Sequence, residues 1–276
     1  MSISAKTNFC VVIGNPVNHS LSPAMHNAAY KSLGIENEFV YLGANVNVEN
    51  VKDVIAAMRS MSTFRGLACT IPHKVEVIKH LDEIDEVAKK ISAVNTVVNT
   101  NGKLKGFNTD WLGVIIPLEK LINLKNKKVA VIGAGGAARA IIYGLKTKGA
   151  KPIIFNRTID NALKLAKEFN CEGYGLNKLE LVKDVDVIIN STTVGMHPLE
   201  NESPVPEEFI QSNHVVFDIV YVPYETKLLK IAKEKGATII HGMEMLLHQG
   251  TAQFELYTNN KAPEEVMRKV LLDSFK

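Results

Sequence analysis

Hydrophobic positions along the chain follow two alternating patterns. Short runs rich in Val, Ile and Phe, such as Phe9–Ile13, Lys128–Ile132 and Val215–Val220, are separated by longer stretches whose apolar residues recur every three or four positions. That alternation belongs to βαβ units with mostly parallel sheets, so the expected fold class is α/β. Strands are expected first at Phe9–Ile13, Glu38–Leu42 and Arg65–Thr70, with a helix over about Val51–Met61 before the third. Ser22-Pro23 opens an earlier helix that Gly34 closes, because serine caps free N–H groups and proline suits the first helical position. Pro72 starts another helix after Thr70. Asn101-Gly102 is a type I′ turn signal, which predicts a hairpin of Val94–Thr100 with Lys103–Phe107.

From Asp110 to Leu121 the pattern is helical, and it leads to strand Lys128–Ile132, the turn Gly133-Ala134-Gly135-Gly136 and a long helix. Strands at Pro152–Phe155, Asp186–Asn190, Val215–Val220 and Ala237–Ile240 follow. Two last helices, from Met243 and from Pro263, have no sheet of their own to cover and are expected to return to the first domain. The expected division is a substrate domain of 1–110 plus 243–276 and a doubly wound Rossmann-type domain of 111–242, with the chain crossing near Asp110 and Gly242. A length of 276 residues suits two modest cores.

Composition narrows the class. The chain is 46% hydrophobic and 22% charged, which excludes a disordered, collagen-like or coiled-coil protein. A net charge of +3 is a mild bias toward anionic ligands and no signal for nucleic acid. Cys10, Cys69 and Cys171 are odd in number and far apart, so neither a disulfide framework nor a zinc site is indicated, and a reducing compartment fits. The longest apolar stretch contains Arg139, and no signal peptide or membrane span is read. The expected setting is cytoplasmic, and the expected oligomeric state a monomer or homodimer. The eight histidines show no metal spacing.

Gly133-x-Gly135-x-x-Ala138 follows a buried strand and opens a helix, the context that a dinucleotide fingerprint requires. Gly133 permits the tight turn, Gly135 lets the backbone approach a pyrophosphate, and Ala138 is small enough for the helix to pack on the sheet. Free N–H groups at the helix start then bind the anion. The next strand ends in Asn156-Arg157-Thr158, offering a guanidinium where an NAD-binding chain would offer a carboxylate, so NADP(H) is favoured. Asp160 lies close by and weakens that preference, although it also suits a helix N-terminus. In the first domain, Ser20 and Ser22 set two hydroxyls beside free backbone donors at a helix start, a geometry suited to a carboxylate.

Further segments carry a family resemblance: Thr70-Ile71-Pro72-His73-Lys74, Ala93-Val94-Asn95-Thr96, Gly106-Phe107-Asn108-Thr109-Asp110, Ser191-Thr192-Thr193-Val194-Gly195-Met196, Asp218-Ile219-Val220-Tyr221-Val222-Pro223 and Met245-Leu246-Leu247-His248-Gln249. Together with the Ser20–Ser22 and Asn156–Thr158 motifs, and in this order over nearly the whole length, they resemble shikimate dehydrogenase. The resemblance implies NADP-dependent, reversible reduction of 3-dehydroshikimate to shikimate, a small-molecule step of aromatic amino-acid biosynthesis. By position it implies that Ser20 and Ser22 hold the substrate carboxylate, and that Thr70, Asn95, Thr109, Tyr221 and Gln249 reach the ring hydroxyls. It gives Lys74 and Asp110 as the catalytic pair. It also implies that Gly133, Ala134, Gly135, Gly136, Ala137, Asn156, Arg157, Thr158 and Thr192 hold the cofactor, with Gly242 by the nicotinamide. The chain departs from the family pattern at Asn161, where a second basic residue is common and Lys164 stands one turn on, and at Ala68-Cys69 and Trp111.

A ketone taking hydride develops alkoxide charge, so a donor must stabilise or protonate that oxygen, and the reverse reaction needs a base. A lysine–aspartate pair can serve both directions. Lys74, in the first turn of the helix expected after Pro72, would have its pKa lowered by the dipole and raised by Asp110, a balance the sequence leaves open. Two alternatives stay open beside this reading: a quinate/shikimate dehydrogenase that accepts NAD as well, and a non-catalytic NADP-binding regulator.

Overall fold

The structure, a computed structural model, describes residues 3–276. The chain divides into two compact units, one running up to Thr109 and resumed by Leu247–Lys276, the other Asp110–Leu246. The first boundary falls at the Thr109–Asp110 peptide; the second falls inside a helix.

The first unit contains β1 (Asn8–Gly14), α1 (Ser22–Ser32), β2 (Phe39–Asn45), α2 (Val51–Ser60), β3 (Phe64–Cys69), β4 (Glu83–Ile84), α3 (Glu86–Ile91), β5 (Thr96–Thr100) and β6 (Lys103–Phe107). Its sheet has the order β2-β1-β3-β5-β6-β4. β1 pairs parallel with β2 and β3, whereas β5 is antiparallel to β3 and to β6. The β5–β6 turn is the expected one, with positive φ at both Asn101 (54°) and Gly102 (84°).

Alternation along β1 sorts its side chains between two layers. Val11 and Ile13 join Ile55, Met58, Leu67 and Val97 on one face. Cys10 and Val12 point the other way, as the period of two along a strand requires; on that side His26, Tyr30, Tyr41, Phe254 and Tyr257 form a buried aromatic cluster. Burial lifts the Cys10 and Cys69 thiols to about 12.

The second unit begins with α4 (Asp110–Glu119) and continues through β7 (Lys128–Ile132), α5 (Gly136–Thr147), β8 (Lys151–Asn156), α6 (Ile159–Phe169), β9 (Glu172–Gly175), β10 (Val187–Asn190), β11 (Val215–Asp218), α7 (Lys227–Glu234) and β12 (Thr238–Ile240). All its strands are parallel, in the order β12-β11-β10-β7-β8-β9. Counted from β7, this is the doubly wound 3-2-1-4-5-6 sheet, whose order reverses between β7 and β10. Being covered on both faces, its strands read as continuous apolar runs such as Val129–Ile132 and Val187–Ile189, buried throughout. α8 (Gly242–Thr258) starts in this unit and continues in the first, and α9 (Glu264–Asp273) follows. Among the described residues no helix is long and apolar enough to cross a membrane.

Two local expectations fail. Ser22 does not cap α1: the chain is already helical at Leu21 (φ −85°, ψ −4°), so Ser22 is the first residue within the helix and no side-chain cap forms. Nor does a helix follow Pro72. The segment turns from Ile71 to Val75 and makes only a short 3₁₀ helix at Glu76–His80, because the Lys74 carbonyl is taken by the Val94 N–H at 2.8 Å instead of by the next helical turn. Lys74 therefore does not stand in the first turn of a helix.

Gly66 in β3 lies flat under the Tyr257 ring: a Cβ there would stand 2.5 Å from Cε1 and 2.9 Å from Cγ. The ring is fully buried and cannot swing away. Gly66→Ala should therefore destabilise the first unit by about 1–3 kcal/mol, the usual range for overpacking. An unchanged midpoint in chemical denaturation would contradict this packing.

Candidate active site

The residues named in the first unit collect at the carboxyl edge of β1 and β3 and around the start of β5. The turn after β1 is fixed by Asn45 at the end of β2: its Oδ1 accepts from the Val17 N–H (2.7 Å) and its Nδ2 donates to Asn18 Oδ1 (2.6 Å). Ser20 then donates its N–H to the Val17 carbonyl (2.9 Å), and its Oγ accepts from the Ser22 N–H (3.4 Å). Thr70, one residue past β3, donates its N–H to the Ile13 carbonyl (2.9 Å), and its own carbonyl accepts from the His73 N–H (2.8 Å). Lys74 is half-buried and held by its backbone against Val94.

Asn95 is the centre of a buried polar group. Its Oδ1 accepts from the Thr109 N–H (2.8 Å) and the Thr96 hydroxyl (2.8 Å), while its Nδ2 donates to Thr109 Oγ1 (2.9 Å) and reaches Gln249 Oε1 at 3.5 Å. Gln253, one turn further along α8, donates to Thr96 Oγ1 (3.0 Å). From its spacing alone, a glutamine four residues from Gln249 belongs to a polar helix face, and only the fold shows it 2% exposed. Hydroxyls and carboxamides both donate and accept, so this collection suits a polyhydroxylated ligand.

In the second unit, Gly133 follows β7 with φ +111°, and a Cβ there would come within 2.7 Å of Ser191 Oγ and 3.0 Å of Thr192 Cγ2. Gly135 is extended (φ −89°, ψ −168°) at the N-cap of α5, and nothing stands within 4 Å of where its Cβ would be. The absent side chain thus leaves open space above the turn and the first N–H groups of α5, and Ala138 is buried beneath it as expected. Ala134, Gly136 and Ala137 are only partly buried. These residues fit a pyrophosphate. At the same sheet edge, Arg157 is exposed past β8, Asn156 Nδ2 bonds the Thr158 carbonyl (2.8 Å), and Asp160 lies in the first turn of α6.

A second buried hub ties the loops after β10 and β11. Asp218, with no solvent exposure, accepts from Asn190 Nδ2 (2.9 Å), the Val220 N–H (3.0 Å) and the Thr226 hydroxyl (2.7 Å). Asn190 Oδ1 in turn accepts from the Thr192 N–H (3.0 Å) and hydroxyl (2.7 Å). Tyr221 follows Val220, and burial pushes its phenol up to about 12, so it stays a neutral donor and acceptor. Gly242 packs on the same loop, where a Cβ would be 2.7 Å from the Ile219 carbonyl oxygen. The adjoining His241 stacks on Tyr224 with centroids 4.3 Å apart. Among the described residues no group of three or more His, Cys, Asp or Glu could hold a metal ion.

The candidate residues thus divide by unit: Ser20, Ser22, Thr70, Lys74, Asn95, Thr109 and Gln249 lie in the first, and Asp110, Tyr221, Gly242 and the glycine-rich turn in the second. A Rossmann-type dinucleotide unit joined to a polar-lined α/β unit defines a class of two-domain nucleotide-dependent proteins. Residues 12–97 match the shikimate dehydrogenase substrate binding domain, 117–227 match shikimate / quinate 5-dehydrogenase, and 242–272 match the shikimate 5'-dehydrogenase C-terminal domain. The chain belongs to the shikimate dehydrogenase family. It is 43% identical over 280 residues to the shikimate dehydrogenase (NADP(+)) of Methanosphaera stadtmanae, covering 98% of each chain. Among solved structures it is similar to shikimate dehydrogenase of Aquifex aeolicus (42% identity, TM-score 0.92, 98% of this chain and 99% of that one). It is similar also to shikimate 5-dehydrogenase of Thermus thermophilus in complex with NADP(H) and shikimate (36% identity, TM-score 0.90, 97% of this chain and 100% of that one).

Burial raises the Asp218 pKa to about 6, against the hydrogen bonds that favour its ionised form. Because the folded value lies above the unfolded one of ~3.9, its contribution to stability is present in full below pH ~4 and is lost as pH rises through about 6. The stability of the Asp218→Asn variant relative to the unmodified protein should therefore grow by about 1 kcal/mol from pH 5 to 7 and then level off. Parallel urea-unfolding curves over that range would contradict the shifted value.

Proposed function

We propose that the chain is an NADPH-dependent shikimate dehydrogenase that reversibly reduces 3-dehydroshikimate to shikimate. The observation that carries this reading is the buried Asn95–Thr109–Gln249 group at the carboxyl edge of one unit, in a chain whose other unit has the open glycine cradle followed by Arg157. On this reading the first unit holds the substrate and the second the cofactor. Ser20 and Ser22 take the substrate carboxylate; Thr70, Asn95, Thr109, Gln249 and Tyr221 take the ring hydroxyls. Gly133 to Ala137 with Thr192 and Gly242 line the dinucleotide, and Asn156, Arg157 and Thr158 hold its adenosine end. A cytoplasmic setting accompanies the reading, supported by three unpaired cysteines.

When bound, reduced nicotinamide supplies a hydride to the keto carbon of the substrate. Negative charge then develops on the oxygen, and the Lys74 ammonium stabilises that charge and delivers the proton that completes the alcohol. In the reverse direction the same oxygen loses its proton to Lys74 or to Asp110. Asp110 is 3% exposed and bonded in sequence to Thr109, one of the residues proposed to bind the ring.

Cofactor choice rests on Arg157, which can bind a 2′-phosphate bidentately and has no comparable partner on NAD. The carboxylate of Asp160 in the first turn of α6, with Asn161 beside it, favours a second reading in which NAD is also accepted. Absorbance assays of shikimate and quinate oxidation with NADP+ and NAD+ distinguish these readings from each other and from a non-catalytic protein.

Lys74→Ala should lower kcat on the order of 10²–10⁴-fold, the usual loss for a general acid or base, while NADP+ affinity is retained; Asp110→Asn should behave similarly. Near-normal kcat at saturating shikimate would remove Lys74 from its role. Arg157→Ala should raise KM for NADP+ and barely change that for NAD+, and equal losses with both would make the arginine structural.

A further inference from the structure

Three elements of the second unit meet at one buried carboxylate. Asp218 at the end of β11 receives hydrogen bonds from the Asn190 side chain at the end of β10, from the Val220 backbone and from Thr226, the N-cap of α7. Asn190 carries the connection onward: besides accepting both Thr192 donors, its Nδ2 also donates to the Val194 carbonyl (3.0 Å). The loop after β10 passes close to the hub at Gly195, which has φ +98° and whose Cβ would lie 3.7 Å from Asp218 Oδ2. Asp218, Asn190 and Thr226 all have zero exposure. The two loops fixed in this way are those carrying Thr192, proposed to line the cofactor, and Tyr221, proposed to touch the substrate ring.

We infer that Asp218 is a positioning residue for the reaction, whose three hydrogen bonds set the loops of Thr192 and Tyr221 relative to each other. The inference rests on the dehydrogenase reading of the preceding section. An uncharged apolar residue could fill the same volume, but it would leave a backbone amide, one N–H of the Asn190 carboxamide and a hydroxyl without an acceptor in a site that excludes water, and the loops would move to find other partners. Burial opposes the ionised carboxyl that those donors require. A group held against that penalty at the convergence of two ligand-facing loops fits a positioning role better than a packing one. Asparagine can replace it in part, since Oδ1 still accepts from Val220 and Asn190 while Nδ2 donates to Thr226 Oγ1.

The test combines kinetics with amide hydrogen exchange on the full chain. Asp218→Ala should lower kcat for shikimate oxidation by about 10–100-fold, the scale of a misplacement near 1 Å. It should leave the ratio of NADP+ to NAD+ efficiency unchanged, because Arg157 lies on another loop. Asp218→Asn should recover most of the loss. In a double-mutant cycle, the losses from Asp218→Ala and Tyr221→Phe should sum to more than the loss in the double variant, since part of the aspartate's effect passes through the tyrosine's placement. Exchange should accelerate together over 191–196 and 219–226 and stay unchanged over 156–160. Unaltered kcat in a folded Asp218→Ala variant, full additivity with Tyr221→Phe, or unaltered exchange in both loops would overturn the inference. Should Asp218→Ala not fold, Thr226→Val, which removes one of the three donors, gives the same readouts with a smaller expected loss. An unmodified protein that oxidises neither shikimate nor quinate would overturn the parent reading and the kinetic claim together, and the exchange result then judges the loop tie alone.

Discussion

Parallel strands finish at one edge of a sheet, and the chain must there turn away while its backbone and side-chain polar groups leave the ladder. Each such group left buried without a partner costs about 1–3 kcal/mol, so the ends of the strands need local acceptors and donors. Both units meet that need with an asparagine carboxamide, which can give and receive in the same plane. Asn95 does so where β5 begins, and Asn190 where β10 ends. The loops so organised are the ones that carry the proposed ligand contacts, which links the stability of the sheets to the geometry of the site.

Much of this was legible in the chain because the signals are local. The apolar runs of the second sheet, the glycine turn after β7 and the Asn101-Gly102 hairpin each rest on residues adjacent in sequence. β9 was not legible: Glu172-Gly173-Tyr174-Gly175 has two glycines and no β-branched residue. It becomes a strand because β8 offers an open edge and because Gly173 lies against α6, where a Cβ would come 2.8 Å from the Ala162 carbonyl oxygen. β4, two residues long, likewise exists only through its pairing with β6.

The misread elements differ in cause. Lys74 stays out of a helix because Val94, distant in sequence, takes its carbonyl, and Ser22 loses its capping role because the preceding turn already runs in helical conformation. Asp218 stands in a motif of the family resemblance and Gln253 on a polar helix face, but nothing beside either in sequence shows that its partners are buried. The motifs around the proposed ligands could be read; the polar groups that hold those motifs in place depend on contacts between segments far apart in the chain.

The thiols give each half of the molecule a built-in reporter. Cys10 and Cys69, both buried in the first unit, remain protonated at any neutral pH, and a thiol reagent can reach them only when the sheet around β1 and β3 opens. Cys171 between α6 and β9 is partly accessible in the second unit. Labelling rates at neutral pH therefore read the opening free energy of the first unit from two positions in its core, with Cys171 as an internal reference for the chemistry of the reagent.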